Sequence, residues 1–129
     1  ESSAASDVYK RQEWQSEHMD STSLPALVDE LLSTAHSARS GRAAHTLHGN
    51  SHNKLRQTVI ALTAGSVLAE HQGPGEATLH VLRGHVTLTA GDQSAVGIDG
   101  DVLSVPLERH ELSVQHDSAV LLTVVKDGW

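Results

Sequence analysis

The sequence predicts an all-β sandwich or barrel preceded by one short amphipathic helix. Three observations carry that expectation. Apolar residues from Leu24 to Leu32 recur at helical spacing, and after Gly41 the apolar period changes to two. Six short runs rich in β-branched residues then follow at roughly ten-residue intervals, separated by breaks that contain Gly, Pro or Asp. With 129 residues the chain has the size of one domain.

The helix is expected over residues 24–35. Leu24, Leu27, Val28, Leu31 and Leu32 follow the i, i+3, i+4, i+7, i+8 pattern that lines one helical face. Ser23 suits the N-cap, Pro25 suits the first turn, and Gly41 is a natural stop. A helix of three turns is marginal alone, so it must pack on the barrel or on another subunit. Residues 1–18 show no sustained apolar period. They read as a non-native or disordered extension before Met19, the only methionine. The expected organisation is therefore an extension at 1–18, a helical arm at 19–41 and a barrel at 42–126.

The strand runs are Thr58–Leu62, Leu79–Leu82, Val86–Ala90, Val102–Val105, Leu112–Val114 and Ala119–Val125. Ala64-Gly65, Gly73-Pro74-Gly75, Gly84, Gly91-Asp92, Asp99-Gly100-Asp101 and His116-Asp117 punctuate them. A closed or double-sheet arrangement hides the edges that such strands would otherwise expose.

Composition excludes several classes of function. Nine Lys and Arg stand against 16 Asp and Glu, a formal charge of −7, which opposes phosphate-driven nucleic-acid binding. The balance stays acidic without residues 1–18. No cysteine is present to supply a disulfide, a thiolate ligand or a nucleophile. No apolar run approaches the ~20 residues of a membrane span, and no secretory signal opens the chain, so a cytoplasmic location is expected. Neither a G-x-S-x-G elbow nor a phosphate-binding glycine loop before a helix occurs. The ten histidines are the chemically notable feature, because imidazole binds metals and titrates near neutral pH.

Residues 65–126 resemble a small single-domain cupin, a double-stranded β-helix of jelly-roll type. The first cupin motif runs G-x5-H-x-H-x3,4-E-x6-G; here Gly65 precedes His71 by that spacing, and Gly84 closes the segment behind Val81-Leu82-Arg83. The second motif runs G-x5-P-x-G-x2-H-x3-N; here Gly100 leads to Pro106, and His110 ends the turn one position early. The resemblance implies a jelly-roll barrel, completed by a strand pair between Arg42 and Leu62. It also implies a divalent metal held by two histidines and a glutamate from the first motif and a histidine from the second. This chain departs from that set. His71 and His110 remain, but the second histidine position is Gly73, the glutamate position is Ala77 and the closing asparagine position is Val114.

Two imidazoles hold a metal loosely, since transition-metal sites use three or four protein donors. Glu76, beside the lost glutamate, is a candidate third donor or proton carrier, and His52 and His48 on the preceding connection could reach the barrel mouth. The expected metal ligands are thus His71, His110 and His52, with Glu76 as the catalytic acid or base. Strand parity places His110 in step with Leu112 and Val114, facing inward. Such a buried imidazole needs either a metal or a partner such as Arg56, Gln57 or a backbone carbonyl. His80 and His85 are expected to face away from the cavity, and His36, His45 and His116 to be surface residues.

Three functions follow. One is a metal-dependent enzyme acting on a small molecule, in which Mn, Fe, Ni, Cu or Zn serves as Lewis acid or redox centre. The alternative is a non-catalytic module that binds or senses a small molecule without metal. A third is a purely structural dimer. The reaction is not selected, because the fold hosts many chemistries. A homodimer is expected on size, since a barrel of about 85 residues buries a limited core, and neither nucleic acid nor membrane is an expected partner.

Overall fold

A computed structural model describes residues 19–71 and 75–126. The expected extension at 1–18 and the Gly73-Pro74 part of the first motif lie outside the described residues. Helix α1 spans Leu24–Ser37, slightly longer than the leucine spacing predicts. Ser23 is its N-cap, and the Ala26 N–H donates to the Ser23 hydroxyl at 3.5 Å.

Nine strands follow: β1 (Arg42–His48), β2 (Leu55–Leu62), β3 (Val67–His71), β4 (Gly75–Arg83), β5 (His85–Ala90), β6 (Gln93–Ile98), β7 (Val102–Val105), β8 (His110–Val114) and β9 (Ser118–Lys126). They form two antiparallel sheets, ordered β1-β2-β9-β4-β7 and β3-β8-β5-β6. The facing surfaces enclose a core of Leu62, Leu79, Val81, Val86, Leu88, Leu112, Val114 and Val120. This is the jelly-roll, all-β architecture with a short N-terminal helix.

A second apolar cluster lies on the opposite face of the five-stranded sheet, where Leu27, Val28, Leu31, Leu32 and Ala35 of α1 pack on Val59, Ala61 and Ala119. Each large side chain buried there contributes about 1.5–3 kcal/mol. Both faces of β2 and β9 are therefore covered. Val59 and Ala61 meet the helix while Ile60 and Leu62 meet the facing sheet, so residues 58–62 read as a continuous apolar run. Two polar contacts hold the helix in place. Arg83 Nη1 lies 2.8 Å from Asp29 Oδ1, and His36 Nε2 lies 2.6 Å from Asp117 Oδ2.

Strands β3 and β6 are additional to the six runs and the preceding strand pair. β6 is an edge strand in which only Gly97 is buried, so its side chains carry no inward apolar stripe. β3 is broken by a bulge, because Leu68 pairs with Leu112 and His71 with His110, leaving three steps on β3 against two on β8. A bulge of this kind erases the period of two.

The sandwich has two ends. At one end lie the β2–β3, β4–β5 and β8–β9 turns; at the other lie the β1–β2, β5–β6 and β7–β8 connections. The second end, called the mouth below, contains the start of β8.

Candidate functional site

His110 opens β8 at the mouth. The strand alternates His110, Leu112 and Val114 inward with Glu111 and Ser113 outward, and His110 is only 5% exposed. Among the described residues, His110 and Ser118 are the buried polar side chains. His110 Nδ1 lies 3.0 Å from the backbone carbonyl of Glu108. A carbonyl only accepts, so Nδ1 carries the proton, and in the neutral ring Nε2 holds the lone pair. Of the partners weighed above, the described contact is the backbone carbonyl. Gln57 instead donates to Thr123 Oγ1 at 3.2 Å on the outer face.

The backbone register pairs His71 with His110. Plain alternation from Leu68 would pair position 71 elsewhere, and the bulge brings its backbone opposite position 110. Directly opposed positions of an antiparallel ladder share a face. His71 and His110 therefore occupy one register step at the mouth end of the four-stranded sheet. One step past the Thr89–Glu111 pair, the same row leads to Ala90 on β5.

Sheet A, the five-stranded sheet, faces this row with Arg56, Val124, Ala77 and Val105, which are paired in register across β2, β9, β4 and β7. Arg56 belongs to the inward set Arg56, Thr58, Ile60, Leu62 on β2. Thr58 and Ile60 line a hollow of about 290 Å³ together with Leu68 of β3, so β2 lies across from β3. A further hollow of about 300 Å³ opens between the sheets at the mouth, bounded by Leu88, Ala90 and Ala95 on one side and Ser104, Val105 and Pro106 on the other.

The other two expected site residues lie apart from this row. Glu76 is exposed and pairs with Val125, one position out of step with Ala77 and Leu79. It alternates onto the outer surface of sheet A and lines a hollow of about 550 Å³ that also takes in Ala77, Val105 and Pro106 beside Thr78 and Thr123. His52 is exposed in the β1–β2 connection, where its backbone N–H donates to Asn50 Oδ1 at 2.8 Å. Among the described residues, no group of three or more His, Asp or Glu side chains is placed to share a metal ion. His85 and His116, with ring centroids 5.7 Å apart, sit at the opposite end of the sandwich. Arg56 is the residue that sequence reasoning undervalued. Its signal was the alternation Arg56, Thr58, Ile60, Leu62, which puts a cation in phase with core residues.

No protein-family model and no curated protein matches the chain. Solved structures do. A conserved protein of unknown function from Streptococcus pyogenes is 25% identical with a TM-score of 0.63, covering 71% of this chain and 80% of that one. A cupin superfamily protein from Desulfitobacterium hafniense is 21% identical with a TM-score of 0.63, covering 70% and 83%. This is a cupin fold. An RmlC-like cupin protein from Desulfovibrio desulfuricans agrees, at 24% identity, TM-score 0.57 and coverage of 65% and 81%. Salicylate 1,2-dioxygenase from Pseudoaminobacter salicylatoxidans is 17% identical with a TM-score of 0.66; the match covers 77% of this chain but only 31% of that enzyme.

Within the cupin fold the lost ligand positions acquire places. Ala77 is on the inward row with Val105 and Val124, so the slot that implies a carboxylate holds a methyl group. Val114 is buried in the core. Glu108, where the second motif has glycine, supplies the carbonyl that orients His110.

Proposed function

We propose that this cupin domain binds a small molecule at its mouth, with the His110 imidazole as the polar group that receives it. The supporting observation is a buried histidine, held by a backbone hydrogen bond, at the open end of an otherwise apolar interior. The described donor set does not fit a tightly held resident metal. Ala77 fills the carboxylate slot, Glu76 is on the outer face and His52 is exposed in a loop, whereas resident transition-metal sites use three or four protein donors. The reading is therefore of a module that binds or senses a small molecule without a resident metal.

A second reading is a metal-dependent enzyme, and one observation favours it. The register places His71 opposite His110, and the Glu108 carbonyl fixes His110 in the Nε2 lone-pair tautomer, which is how metal-binding imidazoles are commonly oriented. In that case His71 and His110 would hold the ion, His52 would have to move inward to join them, and the ion would supply Lewis-acid or redox chemistry. A salicylate 1,2-dioxygenase shares the fold, which supports an enzymatic reading by analogy alone.

Elemental analysis separates the two. Purified protein, with His110→Ala beside it, is incubated with Mn, Fe, Ni, Cu or Zn salts and desalted. Well under one equivalent of retained ion supports the metal-free reading. Near-stoichiometric ion that disappears in His110→Ala establishes the metal reading instead.

A further inference from the structure

The structure assigns Arg56 as the anion-recognition residue of the mouth, and the ligand class as small carboxylates. This inference rests on the mouth being the ligand site, as proposed above, and adds the chemical class of what enters.

Arg56 lies on the inward row of sheet A. It follows Ile60 and Thr58 toward the mouth, just as His110 follows Val114 and Leu112 on the facing sheet. Leu68 of β3 lines one hollow with Thr58 and Ile60, so the next inward step of β2 lies toward the next register step of β3 and β8. That step contains the His71–His110 pair. Arg56 and His110 are thus carried at the mouth end of facing sheets.

The guanidinium is partly satisfied. One Nη2 hydrogen goes to the Asn50 carbonyl at 3.0 Å, which braces the β1–β2 connection and fixes the guanidinium plane. Nε is buried and has no hydrogen-bond partner. The ion pairs His36–Asp117 and Arg83–Asp29 leave Arg56 out, and among the described residues its guanidinium meets the Asn50 carbonyl rather than a carboxylate. A buried N–H without an acceptor costs free energy that a ligand oxygen would return. A guanidinium edge is a planar fork matching two coplanar oxygens, which selects a carboxylate. Val124 and Ala77, beside Arg56 in register, offer apolar contact to the body of the ligand.

The test uses the full chain, with acetate and benzoate as probes, benzamide as the uncharged isostere and inorganic phosphate as the competing anion. The readouts are the Arg56 Nε–H resonance and the His110 ring resonances. Saturable shifts of the Arg56 Nε–H with the carboxylates but not with benzamide are expected. Binding should weaken about tenfold or more in Arg56→Gln, as loss of a charge-assisted hydrogen bond implies. Three results would overturn the assignment: an unmoved Arg56 Nε–H, carboxylate affinity unchanged in Arg56→Gln, or phosphate bound as tightly as benzoate. Should Arg56→Gln fail to fold, the Nε–H titration of the unaltered chain decides alone. Equal binding of benzoate and benzamide with the His110 ring shifting would sink the carboxylate class but keep the mouth as a binding site. Probes that leave the His110 ring untouched would sink the mouth itself.

Discussion

His110 donates its Nδ1 proton to the backbone carbonyl of Glu108, 3.0 Å away. This contact turns a buried imidazole into an oriented one, with the proton on Nδ1 and the lone pair on Nε2 in the neutral ring. It also depends on a residue that stands where the cupin motif has glycine. The neutral form of His110 should therefore be the Nδ1–H tautomer, as read from its ring nitrogen shifts. Finding the Nε2–H tautomer would remove the hydrogen bond from the account.

Ala77 occupies the inward slot whose carboxylate is missing from the ligand set. Ala77→Glu should convert the mouth into a three-donor site with His71 and His110, so isothermal titration should show tighter Zn²⁺ binding than in the unaltered chain. Without metal the same change should lower stability by about 1–3 kcal/mol, the usual cost of a poorly compensated buried polar group. Unchanged zinc affinity in a folded Ala77→Glu protein would mean that Ala77 does not face the two histidines.

At the other end of the sandwich, Asp117 links three elements. Its Oδ1 accepts the Ala64 N–H at 2.8 Å, and its Oδ2 meets His36 Nε2 of α1 at 2.6 Å. The Ala64 hydrogen bond first, and His36 second, hold the Asp117 carboxyl below its ordinary value of 3.8. A carboxyl lowered on folding adds stability that is complete above its unfolded value and lost as the pH falls through its lower folded value. Asp117→Asn should therefore cost up to about 1 kcal/mol at neutral pH, a modest amount because the pair is solvent-screened. The difference should shrink as the pH falls below 3.8. A cost that is the same at both pH values would contradict the linkage.

Gly84 has φ +108° and ends the β4 ladder against Ser118. A Cβ there would collide with the Ser118 side chain and lie 2.7 Å from the Asp117 carbonyl. Gly84→Ala should destabilise the fold by about 1–3 kcal/mol, seen as a lower denaturant midpoint. Gly65→Ala makes a useful comparison, because it has a similar φ of +86° but nothing within 4 Å of the added methyl. Equal costs from the two would assign the effect to backbone conformation alone.

Much of this architecture was legible in the residues. The leucine spacing of α1 and the two-residue alternation of β8 are direct images of the surfaces they bury. β6 was not, because an edge strand with five exposed residues has no face to encode. The site was legible by halves. His110 follows from parity with Leu112 and Val114. The phase of His71 instead depends on a bulge between Leu68 and His71, which no periodicity announces. Glu76 illustrates the limit of motif counting: its nearness in sequence to position 77 makes it a candidate donor, yet its pairing with Val125 sets it one position out of step with the inward row. Arg56 is visible in the sequence as a cation in step with Thr58, Ile60 and Leu62.

The most direct test follows the ring resonances of all ten histidines while a small carboxylate such as benzoate is titrated into the full chain. The account predicts that His71 and His110 shift together and saturably, and that His85 and His116 at the far end stay still. Shifts confined to His85 and His116, or an unmoved His110 at saturation, would contradict it.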